Sequence, residues 1–93
     1  MATPGSGESV PCCLVEFYVM TPGGSYEIHQ ADCLTNMLIR GLKDDFRESF
    51  KIPVANQIWK HDGRELNDSR TLKFYGIEAL DKDKEKIYVT RSN

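Results

Sequence analysis

The chain has 93 residues, 40% of them apolar and 28% charged, with a formal net charge of −2. That length supports one small domain with one core. The slight acidity gives no broad attraction to phosphate backbones or anionic lipid, and no apolar run approaches the roughly 20 residues of a membrane span, so neither nucleic acid nor membrane is an expected partner.

Residues 1–13 are small, polar and broken by Pro4 and Pro11, which predicts a flexible tail. No basic stretch precedes an apolar one there, so a secretory leader is not expected. From Leu14 the pattern changes. Val15, Phe17 and Val19 alternate with Glu16, Tyr18 and Met20, the signature of a strand with one buried face. Pro22-Gly23-Gly24-Ser25 is a turn cluster, and Tyr26, Ile28 and Gln30 alternate with Glu27 and His29 in a second strand, so the two form a hairpin. Leu38, Ile39, Leu42 and Phe46 then fall on one stripe at helical spacing, with Thr35 or Asn36 as N-cap and Arg40, Lys43, Asp44, Arg47 and Glu48 on the solvated side. Gly41 costs such a helix roughly 1 kcal/mol relative to Ala; its expected use is to let the helix approach the sheet. Pro53 biases Ile52 out of the helical region, so the helix ends by Phe50.

Gln57–His61 is a short strand, and alternation points Trp59 inward, between Ile58 and Lys60. Asp62-Gly63 is a strong hairpin turn, with residues 64–66 as a short partner strand. Residues 71–75 form one helical turn, capped by Asp68 or Ser69 and ended by Gly76. The charged run 81–86 is a solvated loop or strand entry, and Ile87 and Val89 face inward in a last strand. One helix crossing one face of a mixed sheet buries these elements, with the first and last strands as parallel neighbours at its centre.

Chemistry-bearing residues are sparse. Cys12, Cys13 and Cys33 make no even framework, the adjacent Cys12 and Cys13 lack a Cys-x-x-Cys spacing, and His29 and His61 are far from that pair in sequence. Free thiols in a reducing cytoplasm or nucleus are the expectation, without metal or cofactor. No Ser, Cys and His spacing suggests a base-activated nucleophile, so no catalytic residue is expected.

Residues 52–77, IPVANQIWKHDGRELNDSRTLKFYGI, carry a resemblance to ubiquitin. Ile52-Pro53 resembles the Ile-Pro that follows ubiquitin's helix, and Gln57 stands where ubiquitin has a Gln before its third strand. Asp62-Gly63-Arg64-Glu65-Leu66 resembles Ala-Gly-Lys-Gln-Leu. Asn67-Asp68-Ser69-Arg70-Thr71-Leu72 resembles Glu-Asp-Gly-Arg-Thr-Leu, and Tyr75-Gly76-Ile77 resembles Tyr-Asn-Ile. The resemblance implies an α+β β-grasp (ubiquitin-like) domain over residues 14–93, a mixed four- to five-stranded sheet packed on one α-helix plus a short helix. It implies a non-catalytic, monomeric module with protein partners, docking a larger protein to ubiquitin–proteasome, ligase or chaperone machinery. A stand-alone adaptor subunit resembling elongin B, or a modifier precursor cut before its Gly-Gly, are the alternatives.

Ubiquitin's apolar recognition patch uses a Leu in the first turn, an Ile in the third strand and a Val in the last. By the resemblance, those places hold Pro22, Lys60 and Thr90. No Gly-Gly follows Gly63, so a conjugated tag is not the expectation. The expected contact surface is the outer sheet face, with Ile58, Lys60, Tyr88 and Thr90 upon it and His61 and Arg64 at its edge. In SUMO-like proteins the groove between helix and second strand receives an added strand. Here Arg40, Lys43 and Arg47 stand near that groove among Asp44, Asp45 and Glu48, and a solvated helix face is the better expectation.

Overall fold

A computed structural model describes residues 12–77 and 85–92. The elements are β1 (Cys12–Met20), β2 (Tyr26–Leu34), α1 (Ile39–Phe50), β3 (Gln57–His61), β4 (Arg64–Glu65) and β5 (Glu85–Arg91), with 3₁₀ turns at Val54–Asn56 and Lys73–Tyr75. The sheet order is β2-β1-β5-β3-β4. Only β1 and β5 run parallel; the other pairings are antiparallel. This mixed five-stranded sheet with one helix is the β-grasp arrangement.

The alternation predicted for β1 and β5 holds: Val15, Phe17, Val19, Ile87 and Val89 are buried. Trp59 joins them with no exposed surface, so it is core and not a contact residue. The helix contributes Ile39, Leu42 and Phe50, and the connecting segments Ile52, Leu66, Leu72 and Ile77. Phe17 sits at the centre, its ring 4.9 Å from Trp59, 5.0 Å from Phe46 and 5.2 Å from Phe50. Asp62 and Gly63 both have positive φ, 54° and 78°. That is the geometry of the two-residue hairpin turn that an Asp-Gly pair favours.

Several expectations are corrected. β1 begins at Cys12, so Cys12 and Cys13 belong to the strand and not to a tail, and Cys13 is buried. The rest of the expected tail, residues 1–11, and residues 78–84, which include most of the charged run 81–86, lie outside the described residues. The helix begins at Ile39, without a Thr35 or Asn36 cap. Its first N–H groups bond instead to carbonyls of a distant turn, Ile39 N to Arg70 O at 2.8 Å and Arg40 N to Asp68 O at 3.2 Å. Leu38 precedes the helix, exposed, and bridges to Thr71 through the backbone. At the short 3₁₀ turn neither Asp68 nor Ser69 is the cap; Thr71 Oγ1 accepts from Phe74 N at 3.1 Å. Gly41 does not face the sheet: a Cβ there would lie 3.0 Å from the Met37 methyl carbon.

The largest correction is Lys43, which is 5% exposed and not on the solvated face. Its Nζ donates to Gln57 O at 2.9 Å and to Asp68 Oδ1 at 2.7 Å. Gln57 Nε2 in turn donates to Lys43 O and Ile52 O, and Trp59 Nε1 donates to Gln57 Oε1 at 2.9 Å. Helix, strand entry and the Asp68 turn are thereby joined by one buried polar network.

Two stability measurements follow from this geometry. Lys51 ends α1 with φ of 60°, and Ile52 N returns to Arg47 O at 3.2 Å, a Schellman closure on a non-glycine residue. Lys51→Gly is expected to stabilise the domain by about 0.5–1 kcal/mol in urea denaturation, because glycine enters that region without the Cβ penalty. Lys43→Met keeps most of the stem but strands the Gln57 carbonyl. It is expected to cost about 2–3 kcal/mol, below the value for a wholly buried pair because the Asp68 side chain is 42% exposed. A loss under about 0.5 kcal/mol would show that water replaces the ammonium at no cost.

Candidate protein-binding face of the sheet

The helix covers one face of the sheet, and strand alternation sends every second residue to the other. The register sets the neighbours on that outer face. Tyr18 of β1 stands between Ile28 of β2 and Tyr88 of β5, and Met20 faces Tyr26. Tyr88 in turn faces Lys60 of β3, Thr90 faces Ile58, and Lys60 faces Glu65 of β4.

Three tyrosines form a cluster at the centre of this face. Tyr18 and Tyr88 stack with centroids 5.0 Å apart and planes 24° apart. Tyr26 meets both edge-on, 6.4 Å from Tyr18 and 5.7 Å from Tyr88. Such arrangements match the ring quadrupoles. The cluster stays open to solvent: Tyr26 is 46% exposed, Tyr88 41% and the adjoining Ile28 58%. The Tyr18 hydroxyl donates to Glu16 Oε1 at 3.2 Å, and Gln30 Nε2 donates to Glu16 Oε2 at 3.1 Å. The Lys86 ammonium lies 6.0 Å from the Tyr18 ring centroid.

Of the six residues named from the sequence, Ile58, Lys60, Tyr88 and Thr90 share this face. His61 and Arg64 do not extend it. They oppose each other in the β3–β4 register with the parity of Trp59, and so turn toward the helix side at the sheet edge. His61 Nε2 lies 3.0 Å from Glu85 Oε1, and the Arg64 guanidinium lies 5.9 Å from the centroid of the partly buried Tyr75. His61, Asp62, Arg64 and Tyr75 line a polar hollow of about 140 Å³. Pro22 and Thr90 do come together, with Met20, Thr21 and Arg91, around a shallow hollow of about 470 Å³. On the helix side, Lys43 is withdrawn into the core and Arg47 is paired with Asp44 at 3.1 Å, which leaves little of the expected cationic group.

Tyr18, Tyr26, Met20 and Ile28 were missing from the sequence-derived surface. Alternation put Tyr18 and Met20 opposite the core residues of β1, which was a readable signal. That Tyr18 lies beside Tyr88 depends on the register of the parallel pair.

Other chemistry is limited. Cys13 and Cys33 face each other across β1 and β2, both buried and unpaired. Desolvation pushes the Cys33 thiol up to about 12 and raises that of Cys13. Both thiols are therefore held protonated and unreactive. Among the described residues no group of three or more His, Cys, Asp and Glu is placed to hold a metal ion, and no helix is long and apolar enough to cross a membrane.

The chain matches the family model described as Ubiquitin family over residues 24–82. Among solved structures, the UBL domain of Dsk2 from Plasmodium falciparum superposes with a TM-score of 0.70 at 26% identity, covering 87% of this chain and 99% of that one. Ubiquitin from Caldiarchaeum subterraneum superposes with a TM-score of 0.68 at 17% identity, covering 88% and 95%, a likeness of fold. No curated protein matches the chain.

The thiol environments can be checked by alkylation. Iodoacetamide at pH 8 is expected to modify Cys12, the partly exposed thiol, and to reach Cys13 and Cys33 only after denaturation. Intact mass should show one adduct on the folded chain and three on the unfolded one. Rapid triple labelling of the folded chain would contradict the burial of the β1–β2 pair.

Proposed function

This chain belongs to the ubiquitin family, and from that premise we propose that it is a non-catalytic protein-interaction module. On this reading it docks a larger parent protein to ubiquitin–proteasome, ligase or chaperone machinery, acting as a monomer in the cytoplasm or nucleus. The observation that carries the proposal is the open aromatic and aliphatic outer face of the sheet, where Ile28, Tyr26 and Tyr88 remain exposed. Exposed aromatic clusters on small soluble domains are characteristic of contact surfaces. The likeness to the Dsk2 UBL supports a place in the ubiquitin system.

Lys60 sets this module apart. It lies on the open face, exposed, opposite Tyr88. By the sequence resemblance, it occupies the place of the isoleucine at the centre of ubiquitin's apolar patch. A receptor that buries a methyl group there would have to desolvate an unpaired ammonium, at a cost of several kcal/mol. Ordinary ubiquitin receptors therefore bind the domain poorly.

Lys60→Ile is expected to tighten binding to a ubiquitin-associated domain by about tenfold or more, the equivalent of 1.4 kcal/mol or more. NMR titration of both proteins with that domain reads the difference. Equal affinities would show that Lys60 does not stand at the centre of the contact.

A further inference from the structure

We infer that the anchor of this face is the Tyr18–Tyr26–Tyr88 cluster, and that its partner presents an acidic, aliphatic segment whose side chains lie on the rings while a carboxylate reaches Lys60. The inference rests on the proposed reading of the domain as an interaction module and specifies the partner's chemistry.

The three rings adjoin Met20 and Ile28, so apolar surface runs across β2, β1 and β5 without a charged side chain at its centre. Each tyrosine is braced by the other two. Rings held this way lose little rotamer freedom when a partner covers them, which favours binding per unit of area. Aliphatic side chains suit the faces and edges left open by one stacked pair and one edge-on ring.

The charges beside the cluster select the sign of the partner. Glu16, whose carboxylate lies beside the cluster, already accepts from Tyr18 and Gln30. Lys60 is different. Glu65 opposes it in the register, yet the two form no ion pair, and among the described residues the ammonium has no hydrogen-bond or ion-pair partner. Lys86 adds a second cation beside Tyr18. Tyr88 therefore lies between two lysines, one across the strand pair and one two residues earlier on β5. An incoming carboxylate beside Tyr88 is favoured, and an incoming ammonium is repelled.

Three synthetic helix-forming peptides test this: one with Leu on one face flanked by Glu, a second with every Glu replaced by Lys, and a third with every Leu replaced by Ser. Each is titrated into isotope-labelled full chain and followed by NMR. The Leu–Glu peptide is expected to move the signals of Tyr18, Tyr26, Ile28 and Tyr88, and the other two to bind at least about tenfold more weakly. Tyr26→Ser removes the most exposed ring at little risk to the fold, and should weaken the Leu–Glu peptide about tenfold. Lys60→Glu should do the same and shift the preference toward the Leu–Lys peptide. The inference is overturned if the Leu–Lys peptide binds wild type as well as the Leu–Glu peptide does. It is overturned equally if the shifts map to α1, or if the cluster broadens with concentration in the absence of peptide, which would make a second copy the occupant. If Lys60→Ile changes binding to the ubiquitin-associated domain while the Leu–Glu peptide leaves the tyrosines unmoved, the module reading stands and this inference alone falls. If neither titration moves the sheet face, both fall.

Discussion

A single ammonium group organises the closing of this domain. Lys43 leaves α1 and ends against the Gln57 carbonyl and the Asp68 carboxylate, almost wholly buried. A lysine in that position is tolerated only because its charge is matched and its donors are used; a buried ammonium without partners is too costly to keep. Satisfying it requires that the start of β3 and the Asp68 turn both come to the same flank of the helix. Gln57 reinforces the demand by bonding two carbonyls with its amide nitrogen and the Trp59 indole with its oxygen. The turn brought in this way then supplies the carbonyls of Arg70 and Asp68 to the first N–H groups of α1. Helix initiation is therefore a tertiary event here, with chain segments about thirty residues apart performing what a local cap does elsewhere.

That closure accounts for which surface is left open. The connecting segments lie on the helix side, where Ile52, Leu66, Leu72 and Ile77 complete the core around Phe17 and Trp59. Nothing among the described residues lies across the far side of the sheet. Its aromatic residues can cover only one another, which they do as a stacked pair with an edge-on third ring. The same alternation that buries Val19 and Val89 turns Tyr18 and Tyr88 to the outer face, so the core and the contact surface are two readings of one pattern.

Local signals were legible and long-range ones were not. Val15, Phe17 and Val19 announced a half-buried strand, and Asp62-Gly63 announced a hairpin turn later met with both residues at positive φ. Trp59 read correctly as core from its place between Ile58 and Lys60. Lys43 did not, because a helical wheel sorts by charge and cannot show that a carboxylate twenty-five residues later will meet it. The helix cap failed for a related reason: Thr35 and Asn36 have suitable side chains, but the acceptors come from Asp68 and Arg70. His61 and Arg64 were expected at the edge of the outer face, whereas they share the parity of Trp59 and so turn to the opposite side from Lys60. The tyrosine cluster needed the parallel β1–β5 register, which no periodicity within one strand contains.

On the proposed reading, Lys60 and the tyrosines divide the work of recognition. Specificity is a difference between affinities, and it can be built by penalising the wrong partner as well as by favouring the right one. A lysine beside an aromatic cluster does both with one side chain. Toward a receptor shaped for an aliphatic patch, its ammonium is a desolvation penalty. Toward a partner carrying a carboxylate, it is an unused ion-pair donor next to rigid apolar area. The tyrosines alone would offer hydrophobic contact to many partners, and the lysine alone would be an ordinary solvated charge. With Tyr88 on β5 set opposite Lys60 on β3, they restrict the face to partners that bring apolar area and negative charge together.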